Sequence, residues 1–243
     1  MAPFFPDFIH NKAQKDLLVI FEEQGCVEQF AVGDYLLPLG SLESKCFLLD
    51  SGHCIFICEQ ETGMSRSCGI VPPGGMAGLG PIMTQLTKRP EEINLMCLEP
   101  VHARSVPIDS FRNYCQSQPS LNVVRLQHII ATMSSLYSTL LFQLTLNLPQ
   151  RLAYFLRFYT ESLGILPDSE GWVDLPLRLT HERLGAIISA SRVTTTLLQK
   201  HLERLNALKQ TKQGLYYAAW LTEVDFILNK LNKKAWTVAR KKE

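Results

Sequence analysis

LTHERLGAIISASRVTTTLLQKHLERLNAL, Leu179 to Leu208, reads as two short helices joined by a tight turn. Thr180 suits an N-cap, because its hydroxyl can accept from the free amides of a first helical turn. Leu184, Ile187 and Ile188 then share one helical face. Ser189-Ala190-Ser191 interrupts the periodicity, and Ser191 can cap a second helix with apolar positions at Leu198, Leu202 and Leu205. Arg192, Val193, Thr194, Thr196, Gln199 and Lys200 fall largely off that stripe. A helix entering the major groove needs a charged donor, small hydroxyls for phosphates and an open N-terminus. An ordinary helical hairpin is the competing reading of the same stretch.

Working outward, charge separates the two readings. The net charge of the 243 residues is only +1. From Pro176 to Glu243, however, 13 Lys and Arg face 5 Asp and Glu, a balance of +8, while residues 1–175 carry −7. A basic C-terminal third on an acidic body suits attraction to phosphate. Apolar residues make up 46%, enough for a sizeable core. No apolar run approaches the roughly 18 residues of a membrane span. The start, MAPFFPDFIHNKAQK, lacks a basic n-region and a cleavage signal. Seven irregularly spaced cysteines fit free thiols better than a disulfide framework, so a cytoplasmic protein is expected.

In chain order, a helix is predicted around Ala13–Glu23, with Leu17, Leu18, Ile20 and Phe21 as its apolar contacts. From Phe30, turn signals about every ten residues (Gly33-Asp34, Gly40-Ser41, Ser51-Gly52, Thr62-Gly63, Pro72-Pro73-Gly74-Gly75) punctuate short apolar runs. That is the rhythm of an antiparallel sandwich or barrel. Cys46–Leu49, Cys54–Cys58, Ser67–Val71, Leu95–Leu98 and His102–Pro107 are the strand candidates. Pro119 then opens a long helix to about Leu146. In it Val123, Leu126, Ile130, Met133, Tyr137, Leu140 and Leu144 alternate spacings of three and four, an a/d seam that suits a parallel dimer, with a buried helix within one chain as the competing reading. Leu121, Ile129, Leu136 and Leu141 form a second face that can pack on the chain's own barrel. Asn147 caps the next helix, Leu208–Thr211 and Leu215–Ala218 suggest a wing around Lys212, and Thr222–Leu231 a last helix.

This order resembles the family of the cAMP receptor protein and the fumarate–nitrate reduction regulator (CRP/FNR). Phe30-x-x-Gly33, Gly40, Phe47-Leu48-Leu49-x-x-Gly52 and Gly75-x-x-Gly78 are similar to its sheet-turn glycines. Gln118-Pro119 resembles its polar-Pro pair. Thr180-x-x-x-Leu184-Gly185-x-x-Ile188-x-x-Ser191-Arg192-x-Thr194 resembles its DNA-binding signature. The resemblance implies an α+β chain with three parts: a β jelly-roll sensor over 1–117, a dimerisation helix over 118–146, and a winged helix-turn-helix over 147–243. It implies a bacterial homodimer that switches transcription on binding a small-molecule effector, with double-stranded DNA and RNA polymerase as partners and no membrane role. Thr180, Ser191, Arg192, Val193, Thr194, Thr196, Lys200 and Lys212 would meet DNA. Leu126, Ile130, Met133, Tyr137, Leu140 and Leu144 would meet the second subunit.

The effector is not expected to be a cyclic nucleotide. The cAMP-binding branch has a Glu after the glycine matching Gly78, an Arg-Ser pair for the phosphate and a Thr-Ser pair on the dimer helix. Here stand Leu79, Arg89-Pro90 and Leu136-Tyr137. A buried phosphate without its donors loses charge-assisted hydrogen bonds. The pocket expected from Cys54, Phe56, Cys58, Gly78, Leu79, Arg89, Met133 and Tyr137 is more apolar, suiting an apolar or aromatic molecule. Thiol chemistry is the rival reading. Cys54 and Cys58 share a strand face but stand roughly 13 Å apart, so each needs another partner, such as Cys46 or Cys68. A buried cysteine is also commonly a small hydrophobe. Residues 1–25 hold no cysteine for the family's iron–sulfur cluster. His53, His102 and His128 lack metal-ligand spacing, leaving haem the least favoured alternative, and no cofactor is called for. No catalytic arrangement stands out, so no enzyme is expected. A ligand-binding dimer that has lost its DNA output is the remaining alternative. At Val193 the chain is also similar to the halogenated-phenol-sensing, CprK-type branch. The acceptor that reads cytosine is absent there, and a branched methyl pair suits the thymine methyl instead.

Overall fold

In the computed structural model, residues 13–37, 45–59, 65–78, 93–211 and 215–222 are described. The chain divides into two compact units, Met1–Ser138 and Thr139–Glu243.

The first unit opens with α1 (Lys15–Gln24), which buries Leu17, Ile20 and Phe21 at their helical spacing. Eight strands follow among the described residues: β1 (Cys26–Phe30), β2 (Tyr35–Leu37), β3 (Lys45–Ser51), β4 (Cys54–Glu59), β5 (Ser65–Val71), β6 (Met76–Ala77), β7 (Ile93–Cys97) and β8 (Val101–Pro107). They form two four-stranded antiparallel sheets, ordered β1-β8-β3-β6 and β2-β7-β4-β5. This is the expected jelly-roll. Leu36, Cys54, Leu95 and Cys97 of one sheet share a buried cluster with Phe47, Leu49, Ala77, Val101 and Ala103 of the other. The continuous apolar run Cys46–Leu49 has a simple cause. Phe47 and Leu49 enter that interior, whereas Cys46 and Leu48 join a second cluster with Leu17, Ile20, Phe21, Phe111 and Cys115. A strand covered on both faces loses the polar alternation of a half-exposed one.

Gly78 has φ +92°, and a Cβ there would lie 2.1 Å from the Lys45 carbonyl oxygen. Only glycine fits that approach of β6 to β3. After α2 (Ile108–Ser117) comes α3 (Pro119–Thr145), the long helix expected from Pro119.

The second unit holds the end of α3, then α4 (Leu148–Ser162), β9 (Trp172–Leu175), α5 (His181–Ile188), α6 (Arg192–Arg204), β10 (Leu208–Gln210), β11 (Leu215–Ala218) and a 3-10 turn at Ala219–Thr222. Asn147 caps α4 in a reciprocal box: its side chain accepts from the Gln150 amide, and Gln150 Oε1 accepts from the Asn147 amide. The wing is a three-stranded sheet ordered β10-β11-β9. Tyr217 anchors it, buried, with its hydroxyl 2.5 Å from Thr160 Oγ1 on α4.

Several expectations change. Leu205 is not on the buried stripe of α6; it is that helix's exposed C-cap. Gln199, placed with the outer residues by its polarity, is buried, as is Thr195. The N-terminal helix starts at Lys15 rather than Ala13. The helix expected over Thr222–Leu231 lies outside the described residues beyond Thr222.

Candidate nucleic-acid interface

The two-helix unit is built by its caps and one glycine. Thr180 Oγ1 accepts from the Arg183 amide at 3.2 Å and starts α5. The chain then reverses at Ser189, in the left-handed region at φ 56°. Ser191 Oγ accepts from the Thr194 amide at 3.1 Å and starts α6. Gly185 faces the turn: a Cβ there would lie 2.7 Å from the Ala190 carbonyl oxygen and 2.9 Å from Thr195 Oγ1. Thr195 Oγ1 itself donates to the Ser191 carbonyl at 2.9 Å, so this buried polar residue is satisfied within the turn.

On the outer side of α6, Ser191, Arg192, Val193 and Lys200 are exposed. Val193, at 69% exposure, is an apolar side chain left in water at a helix's first turn. Thr194 is half-buried, and its Oγ1 lies 2.8 Å from Ser191 Oγ. Thr196 Oγ1 donates to the Arg192 carbonyl and lies 2.9 Å from His181 Nδ1, tying α6 to the first residue of α5. Thr180 is exposed at the start of α5. Lys212 lies outside the described residues. In the wing, Lys209 Nζ sits 4.1 Å from the centre of the Trp172 ring and 5.4 Å from that of Tyr216. The cross-strand pairing Lys209↔Tyr216 makes this cation–π contact. Lys209 had no local signal in the sequence, because its partners come from two other strands.

Arg151 and Gln143 hold the unit from below. Arg151 Nη1 donates to the carbonyl of Ile188, the last residue of α5, and Nε to that of Leu146; Nη2 donates to the Gln143 carbonyl. Gln143 Nε2 donates to the Ile187 carbonyl at 2.9 Å. The orphan carbonyls at the end of α5 are thus met by side chains of α3 and α4.

This arrangement is matched in known proteins. The solved structure of a CooA mutant from Carboxydothermus hydrogenoformans superposes with a TM-score of 0.69 at 13% identity, covering 93% of this chain and 99% of that one. TTHA1359 of Thermus thermophilus, a transcriptional regulator of the CRP/FNR family, gives 0.60 at 19% identity over 89% of this chain and 98% of that one. The chain has the CRP/FNR fold. The Global nitrogen regulator of Synechococcus elongatus is 25% identical over 194 residues, 76% of this chain and 85% of the relative. CprK complexed with OCPA gives a TM-score of 0.57 at 17% identity over 90% of this chain and 97% of that one, so that branch is not singled out. No family model matches the chain.

Within this CRP/FNR fold, the residues expected at a sensor pocket are only partly together. Cys54 is fully buried between the sheets, and half-buried Phe56 packs against the same cluster. Cys58 is half-buried on the same strand, and Gly78 lies at the end of β6. Leu79 and Arg89 lie outside the described residues. Tyr137 is 60% exposed, so it projects with the seam rather than into the roll's interior. Met133 is half-buried. Leu126, Ile130, Leu140 and Leu144 are between 52% and 72% exposed, one apolar stripe along α3. The side of the helix away from Ile130 carries buried His128; among the described residues its Nε2, like Asn122 Oδ1 and Arg125 Nε elsewhere on the helix, meets no hydrogen-bond partner. Burial holds the His128 imidazole below the usual histidine range. Cys54 does not meet Cys46, which belongs to the other cluster; the thiol facing it is Cys97. The Cys68 side chain is outside the described set. Among the described residues, no group of three His, Cys, Asp or Glu could hold a metal ion, and no helix is long and apolar enough to cross a membrane.

Proposed function

We propose that the chain is a CRP/FNR-family regulator that binds double-stranded DNA as a homodimer in the cytoplasm and changes its affinity when a small molecule occupies the β-roll. One observation carries the reading. The capped first turn of α6 presents Arg192 and Val193 to solvent, with Lys200 further along the helix, while the turn behind it is fixed by Gly185 and Thr195. A helix used only for packing has no need of an exposed valine at that position, whereas a groove-reading helix does.

The stripe from Leu126 to Leu144 supports pairing through α3. Its apolar side chains stand in water in a single chain, and large exposed apolar patches mark interfaces. The functional division is then a sensor over 1–117, a dimer helix over 118–146 and a reader over 147–243, with RNA polymerase as the downstream partner. The effector fits best as an apolar or aromatic molecule, since Cys54, Phe56 and the edge-to-face Phe30–Phe47 pair, 6.1 Å between centroids, line an apolar interior.

A mobility shift with random-sequence and selected duplexes tests the reading. Binding should weaken steeply with added salt as phosphate contacts release counterions. Absence of any shift at low salt would leave a ligand-binding dimer without DNA output.

A further inference from the structure

Cys54 on β4 and Cys97 on β7 are register partners in adjacent antiparallel strands. Both are fully buried in the interior between the two sheets. The ladder fixes which kind of pair they form. The Cys97 amide donates to the Asp34 carbonyl at 2.8 Å, and the Cys97 carbonyl accepts from the Gly33 amide at 2.9 Å. Both polar groups of Cys97 therefore point away from β4. The next bond toward β4 is made one residue on, from the Leu98 amide to the His53 carbonyl at 2.9 Å. Cys54 and Cys97 are thus a non-hydrogen-bonded pair, the kind whose side chains stand closest, with Cα atoms about 4.5 Å apart. A disulfide needs Cα atoms roughly 4.4–6.8 Å apart.

We propose that Cys54 and Cys97 are a two-thiol oxidation site that closes to a cross-strand disulfide under a small uncharged oxidant, hydrogen peroxide or an organic hydroperoxide. With hydrogen peroxide, one sulfur attacks a peroxide oxygen, the O–O bond breaks, and water leaves a sulfenic acid on that cysteine. The second sulfur then attacks the first, the S–O bond breaks, and a second water leaves. The two thiol protons end in the two waters, the sulfurs lose two electrons, and the peroxide gains them.

The surroundings set the rate. A hydrogen bond with the Cys97 thiol, burial and the Glu99 carboxylate all push the Cys54 thiol up, out of its usual range. Glu99 is itself bonded to His53 Nδ1 at the end of the same strands. Thiolate is scarce at neutral pH, so closure is slow, and a charged oxidant is shut out. Exposed Cys26 reacts first, but the residue opposite it in the β1–β8 ladder is Ser105, which is no thiol.

The full-length folded chain, treated with hydrogen peroxide over hours and alkylated in denaturant, tests this by mass spectrometry. The expected product joins the peptide carrying Cys97 to that carrying Cys54, with a mass lower by two hydrogens and sensitivity to reductant. Trypsin leaves Cys46, Cys54 and Cys58 on one peptide between Lys45 and Arg66, so fragment ions must assign the link to Cys54. Recovery of Cys54 and Cys97 as alkylated thiols when Cys26 is fully oxidised overturns the proposal. So does a link from Cys97 to Cys46 or Cys58, or a link that forms only in urea. In Cys97→Ala, Cys54 should stay alkylatable; a disulfide at Cys54 forming there at the parent rate also overturns it. The parent chain alone decides the matter if that variant does not fold.

Discussion

Arg151 on α4 donates from Nη1 to the carbonyl of Ile188, the last residue of α5, at 3.1 Å. The same guanidinium bonds Leu146 and Gln143 at the end of α3. One planar fork therefore satisfies backbone groups from two helix ends. Arg151→Lys supplies a single point of charge and cannot span them. It should cost about 1.5–3 kcal/mol, the range for a hydrogen bond to a charged group. Urea unfolding of the full chain measures it. A loss under about 0.5 kcal/mol, the level of an ordinary surface change, would show that the fork is not holding α5.

Gly185→Ala sets two effects against each other. Alanine favours a helix interior over glycine by about 1 kcal/mol. Its Cβ would lie 2.7 Å from the Ala190 carbonyl oxygen, a backbone atom in the turn between α5 and α6. Overpacking typically costs about 1–3 kcal/mol, and backbone yields less readily than a side-chain tip. A net loss of stability is expected in thermal unfolding. A stabilised variant would mean that the turn relaxes freely.

How much was legible follows from range. The caps at Thr180, Ser191 and Asn147 act within three residues, so side-chain type alone located them. The apolar stripe on α3 was legible because helical period is a local property. Cys97 as the partner of Cys54 was not, since strand register joins residues far apart in sequence. The partners that spacing suggested for Cys54 were Cys46 and Cys68, and Cys97 read only as part of an apolar strand. Gln199 and Thr195 misled or were silent for the opposite reason: hydropathy places polar groups outside, whereas Thr195 is buried in the close approach at Gly185 and Gln199 is buried one turn further along α6. The strands Cys26–Phe30 and Trp172–Leu175 were missed because each is short and carries charged or polar residues at exposed positions.

Ile130→Glu tests the seam without touching the interior of a single chain. Ile130 is exposed when the chain stands alone, so a carboxylate there leaves the fold intact. In a parallel pair it would meet its own symmetry mate in an apolar layer, an uncompensated buried charge costing about 3–5 kcal/mol. Sedimentation should show a dimer for the parent chain and a monomer for the variant. A variant that remains dimeric moves the interface off α3.

His128 predicts a pH dependence of stability. Its folded pKa lies below the unfolded value because burial disfavours the imidazolium. Above the unfolded pKa both states are neutral and the residue contributes nothing. As pH falls through about 6.5 the unfolded chain takes up a proton that the folded chain resists, so stability declines toward acid. The decline continues until the folded pKa is passed. His128→Gln should flatten this part of the curve. An unchanged slope below pH about 6.5 would assign the acid loss to other groups.

If α6 reads DNA as proposed, Val193 is expected to set what it recognises. It is 69% exposed in the first turn of α6, directly after Arg192, where a major-groove helix meets base edges. A valine offers no acceptor for a cytosine amino group. Its branched methyls match the C5-methyl of thymine, the one apolar feature that a base pair shows in the major groove. Arg192 beside it can pair with guanine or reach a phosphate. Thr194 is less free than its polarity suggests, because its hydroxyl lies 2.8 Å from the capping Ser191 hydroxyl. A phosphate would have to compete with that contact, so Val193 and Arg192 are the residues expected to read the site. The selected sites should be inverted repeats with half-site centres about 34 Å apart. They should carry A·T opposite Val193, each wrong pair costing roughly 1–3 kcal/mol. Selection from a random pool, repeated with Val193→Ala, measures both. The alanine variant should lose preference at that position while keeping it elsewhere. A parent site with G·C opposite Val193, and an alanine variant that selects the same base, would remove the methyl contact from the mechanism.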